Sequence, residues 1–142
     1  MSKLQLTNGD DHPEAARKHL DDATALRRSG RPDGTSYLAG YVVECSLKAL
    51  IQHETGVAPP LEHGLTTLAR RVSVICTVAG AKTARYLAPA VRSLPSAAIA
   101  AWDPQSRYQA PSMTSAHAAA WLKEAESVYR ATVEQMFLDG VI

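Results

Sequence analysis

Tyr37, Tyr41, Glu44 and Lys48 step by four, three and four residues. On a helix that spacing sets two phenols, a carboxylate and an ammonium along one stripe. Glu44 and Lys48 alone form an i,i+4 pair in the favourable orientation, worth about 0.3–0.5 kcal/mol when exposed. The same four residues beside an apolar stripe also describe a buried polar network or a ligand-facing wall. His63 follows a Pro59-Pro60 turn. It is placed to cap a helix, to bond Glu44, or to act as an acid–base or phosphate-binding group at a helix N-terminus. Trp102, Arg107 and Tyr108 surround a stretch with two prolines. An arginine among aromatics suits an anion or a nucleobase, by charge and by stacking. The alternative is that the two rings close the end of a bundle while Arg107 pairs with Glu44 or another acid. Walker A, GxGxxG, GxSxG and HExxH patterns are absent.

Helices must position these groups. Asp11 or His12 caps a first helix with Pro13 in its first turn and Glu14 favouring the dipole. Ala16, Leu20, Ala23 and Leu26 repeat at helical spacing, and the segment RRSGRPDG ends the run. A second helix is predicted from about Asp33–Ser36 to Glu54, stopped by Gly56, with Leu38, Val42, Cys45 and Ala49 in its apolar stripe. Gly40 inside it reads as a site of close approach by another helix. HGLTTLARRVSVICTVAG predicts a third helix, with Leu65, Leu68, Val72 and Ile75 on one side. Residues 82–94 and 95–102 predict two short helical pieces, and DPQSRYQAPSM a loop. Thr114 or Ser115 then opens a long last helix reaching about Leu138. The expectation is an all-α, up-and-down bundle of four main helices plus one or two short ones.

The 142 residues suffice for one domain, read as residues 11–142 after a loose N-terminus of residues 1–10. Fifteen Lys+Arg against fourteen Asp+Glu leave a net charge of +1, which selects no charged partner. Arg27, Arg28, Arg31, Arg70, Arg71, Lys82, Arg85 and Arg92 are scattered, as on a solvated face. Cys45 and Cys76 sit at apolar positions without zinc-site spacing, as reduced core cysteines do. No signal peptide or 18-residue apolar run is present, so the cytoplasm is the expected location, with no metal or cofactor implied.

Several of these segments together resemble the HEPN superfamily. They are Ala16-x-x-x-Leu-Asp-Asp-Ala23, then Gly34-x-x-Tyr37-Leu-Ala-Gly-Tyr-Val-Val-Glu-Cys-x-Leu-Lys48, Gly56, and His63-Gly-Leu-x-x-Leu68. The segment Trp102 to Tyr108 and the closing long helix extend the resemblance over about residues 12 to 136. It implies a helical bundle related to the substrate-binding half of nucleotidyltransferases, commonly a homodimer. Some relatives are metal-independent endoribonucleases of toxin–antitoxin or defence systems. Others serve as nucleotide- or substrate-binding modules beside a minimal nucleotidyltransferase.

The nuclease branch carries an Arg, four to six residues, then a His: the guanidinium holds the scissile phosphate and the imidazole moves protons. No histidine here has an arginine at that distance. Arg17 stands two before His19 and Arg107 ten before His117. The resemblance is therefore to HEPN domains without that motif, and its implied function is binding or partnering, with nucleotide or RNA as ligand. The alternative is a divergent ribonuclease using His63 or His117 with Arg107.

Overall fold

Asp11 starts the first helix by accepting the Glu14 backbone N–H at 3.2 Å, with Pro13 at a position that needs no donor. In the computed structural model, which describes residues 1–142, α1 spans His12–Arg28. Helix α2, Pro32–Thr55, ends where Gly56 takes a left-handed conformation (φ 74°) that a side chain would resist. α3 is Leu65–Cys76 and α4 the single turn Pro89–Arg92. α5, Ser115–Tyr129, is capped by the Thr114 hydroxyl and runs on through a π turn, Arg130–Glu134, into α6, Gln135–Leu138. No strand is present, so the all-α bundle predicted from periodicity is the observed fold.

Helix α2 is the axis of this bundle. It packs chiefly against α1 and α5, with α3 on a third side. Leu47, Leu50, Val42 and Val43 on α2 meet Leu65, Leu68 and Val72 of α3 and Val128, Val133 and Met136 of the last helical run in one core. Because three elements surround it, α2 is buried almost continuously from Ala39 to Gln52. Both cysteines are free and buried, and burial pushes the Cys45 thiol up to about 12.

The connection after α2 decides where the site lies. Residues 56–64 carry no regular secondary structure and return along α2, so that His63 meets Glu44 in the middle of that helix. At the other end, Thr83 donates its backbone N–H and its hydroxyl to Glu54 Oε2, at 2.9 and 2.6 Å, and its Oγ1 lies 3.0 Å from Cys76 Sγ. Helix α3 therefore starts beside the middle of α2 and ends beside its C-terminus.

The N-terminal segment touches the bundle at two points: Ser2 is buried and donates its backbone N–H and its hydroxyl to Asp11 at 2.7 Å, and Gln52 Nε2 donates to the Leu4 carbonyl at 2.7 Å. Two sequence expectations change. The stretch expected to be a plain loop contains a 3-10 turn, Pro104–Tyr108, because Asp103 accepts the Gln105 N–H at 2.8 Å and Pro104 presets the backbone. The predicted pieces within residues 82–102 are mostly 3-10 turns, with α4 the only α-helical part, since Pro89 and Pro95 stand at the first positions of α4 and of the turn Leu94–Ser96 and cannot carry on a helix from the residues before them.

Candidate functional site

Glu44 and Lys48 are one turn apart, and their side chains pair at 2.7 Å. They are not a surface pair: the side chains are only 5% and 7% exposed. The same carboxylate receives His63, whose Nδ1 lies 3.1 Å from Oε1 and 3.0 Å from Oε2. Glu62 Oε1 holds the preceding backbone by accepting the His63 and Gly64 N–H groups at 2.8 and 2.6 Å. With Nδ1 on Glu44 and the side chain 56% exposed, His63 turns its Nε2 away from the pair. A carboxylate that fixes one imidazole nitrogen leaves the other free for a ligand or a proton.

Two histidines of α1 border this pair, and the sequence reading passed them over. His12 Nδ1 and His19 Nδ1 are buried without a protein partner. Burial pushes both imidazoles below their ordinary range, with Lys48 adding to the effect at His12 and Lys18 at His19. Glu44 opposes the shift at both, helped by Asp10 and Asp11 at His12 and by Asp22 at His19. A signal existed: His12, Ala16, His19 and Ala23 step by four, three and four, and both alanines are fully buried.

The aromatic half of the stripe turns toward a different neighbour. Tyr37 and Tyr41 hydroxyls lie 3.2 Å apart. The Tyr41 ring stands edge-on to Tyr37 and to Trp102, with centroids at 5.2 and 4.9 Å, and tilted on His19 at 5.4 Å. Burial, then the bond from Tyr37, pushes the Tyr41 phenol up to about 12, so it stays a neutral donor. Trp102 lies flat against Gly40 and donates Nε1–H to the Tyr37 carbonyl at 3.0 Å. Arg107 does not pair with Glu44. Its guanidinium sits 4.9 Å from the Tyr108 ring centroid, and Tyr37 first and Tyr108 second favour its charged form.

Beside Tyr37 opens a cleft of about 370 Å³ between the first turns of α2 and the segment 101–113. Asp33, Tyr37, Asp103, Arg107, Met113 and Trp121 are among its lining residues. Asp33 Oδ1 accepts the Ser112 and Met113 N–H groups at 3.0 and 3.1 Å, which ties the far wall to α2. The predicted site residues thus fall into two groups: Glu44–Lys48–His63, and the cleft lined by Tyr37 and Arg107, with Tyr108 beside Arg107 and with Trp102 and Tyr41 packed behind Tyr37. His117 joins neither. It is exposed in the first turn of α5, where its N–H bonds Thr114. No three His, Cys, Asp or Glu side chains converge in a way that would hold a metal ion.

The sequence profile of the HEPN domain matches residues 10–136. The chain belongs to the HEPN domain family. Among curated proteins and solved structures, none matches it. The match covers every element of both groups, from Asp11 before α1 to the end of α5, so the polar stripe and the cleft are parts of the HEPN bundle itself. No helix of this HEPN domain is long and apolar enough to cross a membrane.

The histidines give the HEPN bundle a pH dependence with a definite sign. His12, His19 and His53 all have lowered pKa values in the folded chain, chiefly from burial. As pH falls below about 6.5 the unfolded chain takes up these protons first, so stability falls. The lowered carboxylates Asp11, Asp33, Glu54, Glu62 and Asp139 extend the loss in the same direction at lower pH. Urea midpoints at about pH 7.5 and about pH 5.5 should show the lower value in acid, with a smaller drop for His12→Gln and His19→Gln. An unchanged or higher midpoint in acid contradicts this account.

Proposed function

We propose that this HEPN domain is a cytoplasmic, homodimeric binding module that holds a nucleotide-type ligand beside a minimal nucleotidyltransferase, in a toxin–antitoxin or defence-type pair. The observation that carries the binding role is the cleft at Tyr37. Tyr37 and Trp121 in its lining supply rings for a base, and Arg107 supplies a guanidinium for a phosphate. Membership of the HEPN family supports the partnership with a nucleotidyltransferase and the dimer. Titrating labelled protein with nucleotides should move the resonances of Gly34, Tyr37, Arg107 and Met113 first. Arg107→Met should weaken binding about ten-fold, the loss of one charge-assisted contact. If millimolar nucleotide leaves these resonances unmoved, the binding role fails. Failure of a nucleotidyltransferase encoded beside this chain to copurify with it removes the partnership.

A second reading, metal-independent RNA cleavage, is favoured by one observation: Glu44 holds Nδ1 of His63 and leaves Nε2 outward. In that reading His63 moves the proton, and Arg107 or His117 would have to reach the same phosphate. Incubation with total RNA and tRNA in EDTA tests it. Cleavage abolished by His63→Ala supports the reading, and intact RNA at high protein concentration sinks it.

A further inference from the structure

The Tyr37 cleft is not simply basic. Asp33 on α2 and Asp103 on the facing segment line the same cleft as Arg107, and none of the three has an ion-pair partner in the chain. Each carboxylate spends one oxygen on the backbone. Asp33 Oδ1 takes the Ser112 and Met113 amides, and Asp103 Oδ1 takes the Gln105 amide. The Oδ2 atoms remain available as acceptors. Those backbone bonds hold the Asp33 carboxyl below its usual range, so it is ionised at neutral pH. One guanidinium against two carboxylates makes the lining net negative by one charge.

That balance discriminates among nucleotides. A single phosphate can sit against Arg107 with a charge-assisted bond. A triphosphate brings a longer run of negative charge into a cleft that already holds two carboxylates, and like charges at contact distance cost binding energy. The free Asp33 and Asp103 oxygens only accept, so they suit the exocyclic N–H donors of an amino-bearing base. Uracil turns carbonyl acceptors toward such a wall and gains less. Tyr37 and Trp121 supply π faces that are indifferent to the base.

We infer that the cleft selects a nucleoside monophosphate with an amino-bearing base and discriminates against nucleoside triphosphates. This rests on the nucleotide-binding reading above and deepens it. A nucleotidyl transfer breaks the α–β phosphoanhydride of a triphosphate, releases pyrophosphate and leaves a nucleoside monophosphate esterified to the acceptor oxygen, so a monophosphate-selective cleft suits that transferred group and leaves the triphosphate donor to the partner.

Calorimetric titration of the full chain in metal-free buffer with AMP, ATP, adenosine and UMP tests it. AMP should bind about ten-fold or more tightly than ATP, and about ten-fold more tightly than UMP. Asp103→Asn keeps an oxygen for the Gln105 amide, so the turn survives, and it should narrow the AMP/ATP gap. Arg107→Met should bring AMP to the affinity of adenosine. ATP binding as tightly as AMP, or UMP binding equally, overturns the selectivity while leaving nucleotide binding in place. If no nucleotide binds, the nucleotide-binding reading falls, and the inference with it. An AMP/ATP gap unchanged in Asp103→Asn removes the carboxylate as its cause.

Discussion

Gly40→Ala should destabilise the bundle by at least about 3 kcal/mol, lowering the melting temperature by about 10 °C. A Cβ built on Gly40 would lie 2.0 Å from Cε2 and Nε1 of Trp102 and 2.1 Å from Cδ2. Backbone and ring cannot both keep their places at such distances. The indole has nowhere easy to go, because it is 5% exposed, stands edge-on to Tyr41 at 4.9 Å and is bonded through Nε1 to the Tyr37 carbonyl. Moving it opens a void beside Tyr41 and leaves a buried donor unpaired. Gly34→Ala is the matched control. There the new Cβ meets only the end of the flexible Leu26 side chain, at 3.0 Å, and a small shift accommodates it. Thermal melts followed by circular dichroism compare the two. A Gly40→Ala melt within about 2 °C of the parent protein would show that the indole relocates freely, against this account.

Lys48→Met should cost about 3–5 kcal/mol, although its side chain keeps nearly the same volume. The ammonium is 7% exposed and bonded at 2.7 Å to a carboxylate that is 5% exposed. Without it, Glu44 is a buried charge whose one remaining side-chain partner is the half-exposed His63. The penalty is that of desolvating an unpaired ion, not the loss of a strong bond. The double change Glu44→Gln with Lys48→Met should therefore recover most of the stability. Urea denaturation of the two singles and the double closes the cycle. Additive losses in the double variant would mean that the two charges do not depend on each other.

These two predictions rest on different kinds of information. The i,i+4 spacing of Glu44 and Lys48 is local, and so is the pairing it allows. Their depth is not local. A helix packed on three sides has little of the amphipathic contrast that separates a solvent face from a core face, so the stripe could be read as a wall or as an interior network. Gly40 was legible as a close-packing position, but its partner lies on a turn that reaches across 65 residues to the Tyr37 carbonyl. His12 was missed because histidine at a helix start reads as a cap, while Asp11 already caps α1, and His19 because it was weighed only by its spacing from Arg17. The pairing of Arg107 with an acid, one of the alternatives, gave way to Tyr108 from its own turn and Tyr37 from α2.

Asp33 shows the same division within the cleft. Its place in the first turn of α2 is readable from the Pro32-Asp33 start of that helix. Its bonds to Ser112 and Met113 join segments nearly 80 residues apart. No periodicity reports such a bond, because two segments meet only when the helices between them pack.

Read alone, the chain specifies its helices, their caps and stops, the apolar stripe of α2 and the absence of the Arg-to-His nuclease spacing. These follow from side-chain periodicity, from residues that satisfy or break a helix end, and from counting along one strand of text. Tertiary structure decided that Glu44 and Lys48 are buried, that residues 56–64 return His63 to them, and that Asp33, Tyr37 and Arg107 border one cleft. Burial and convergence depend on which surfaces cover which, and that is settled by the packing of the whole core.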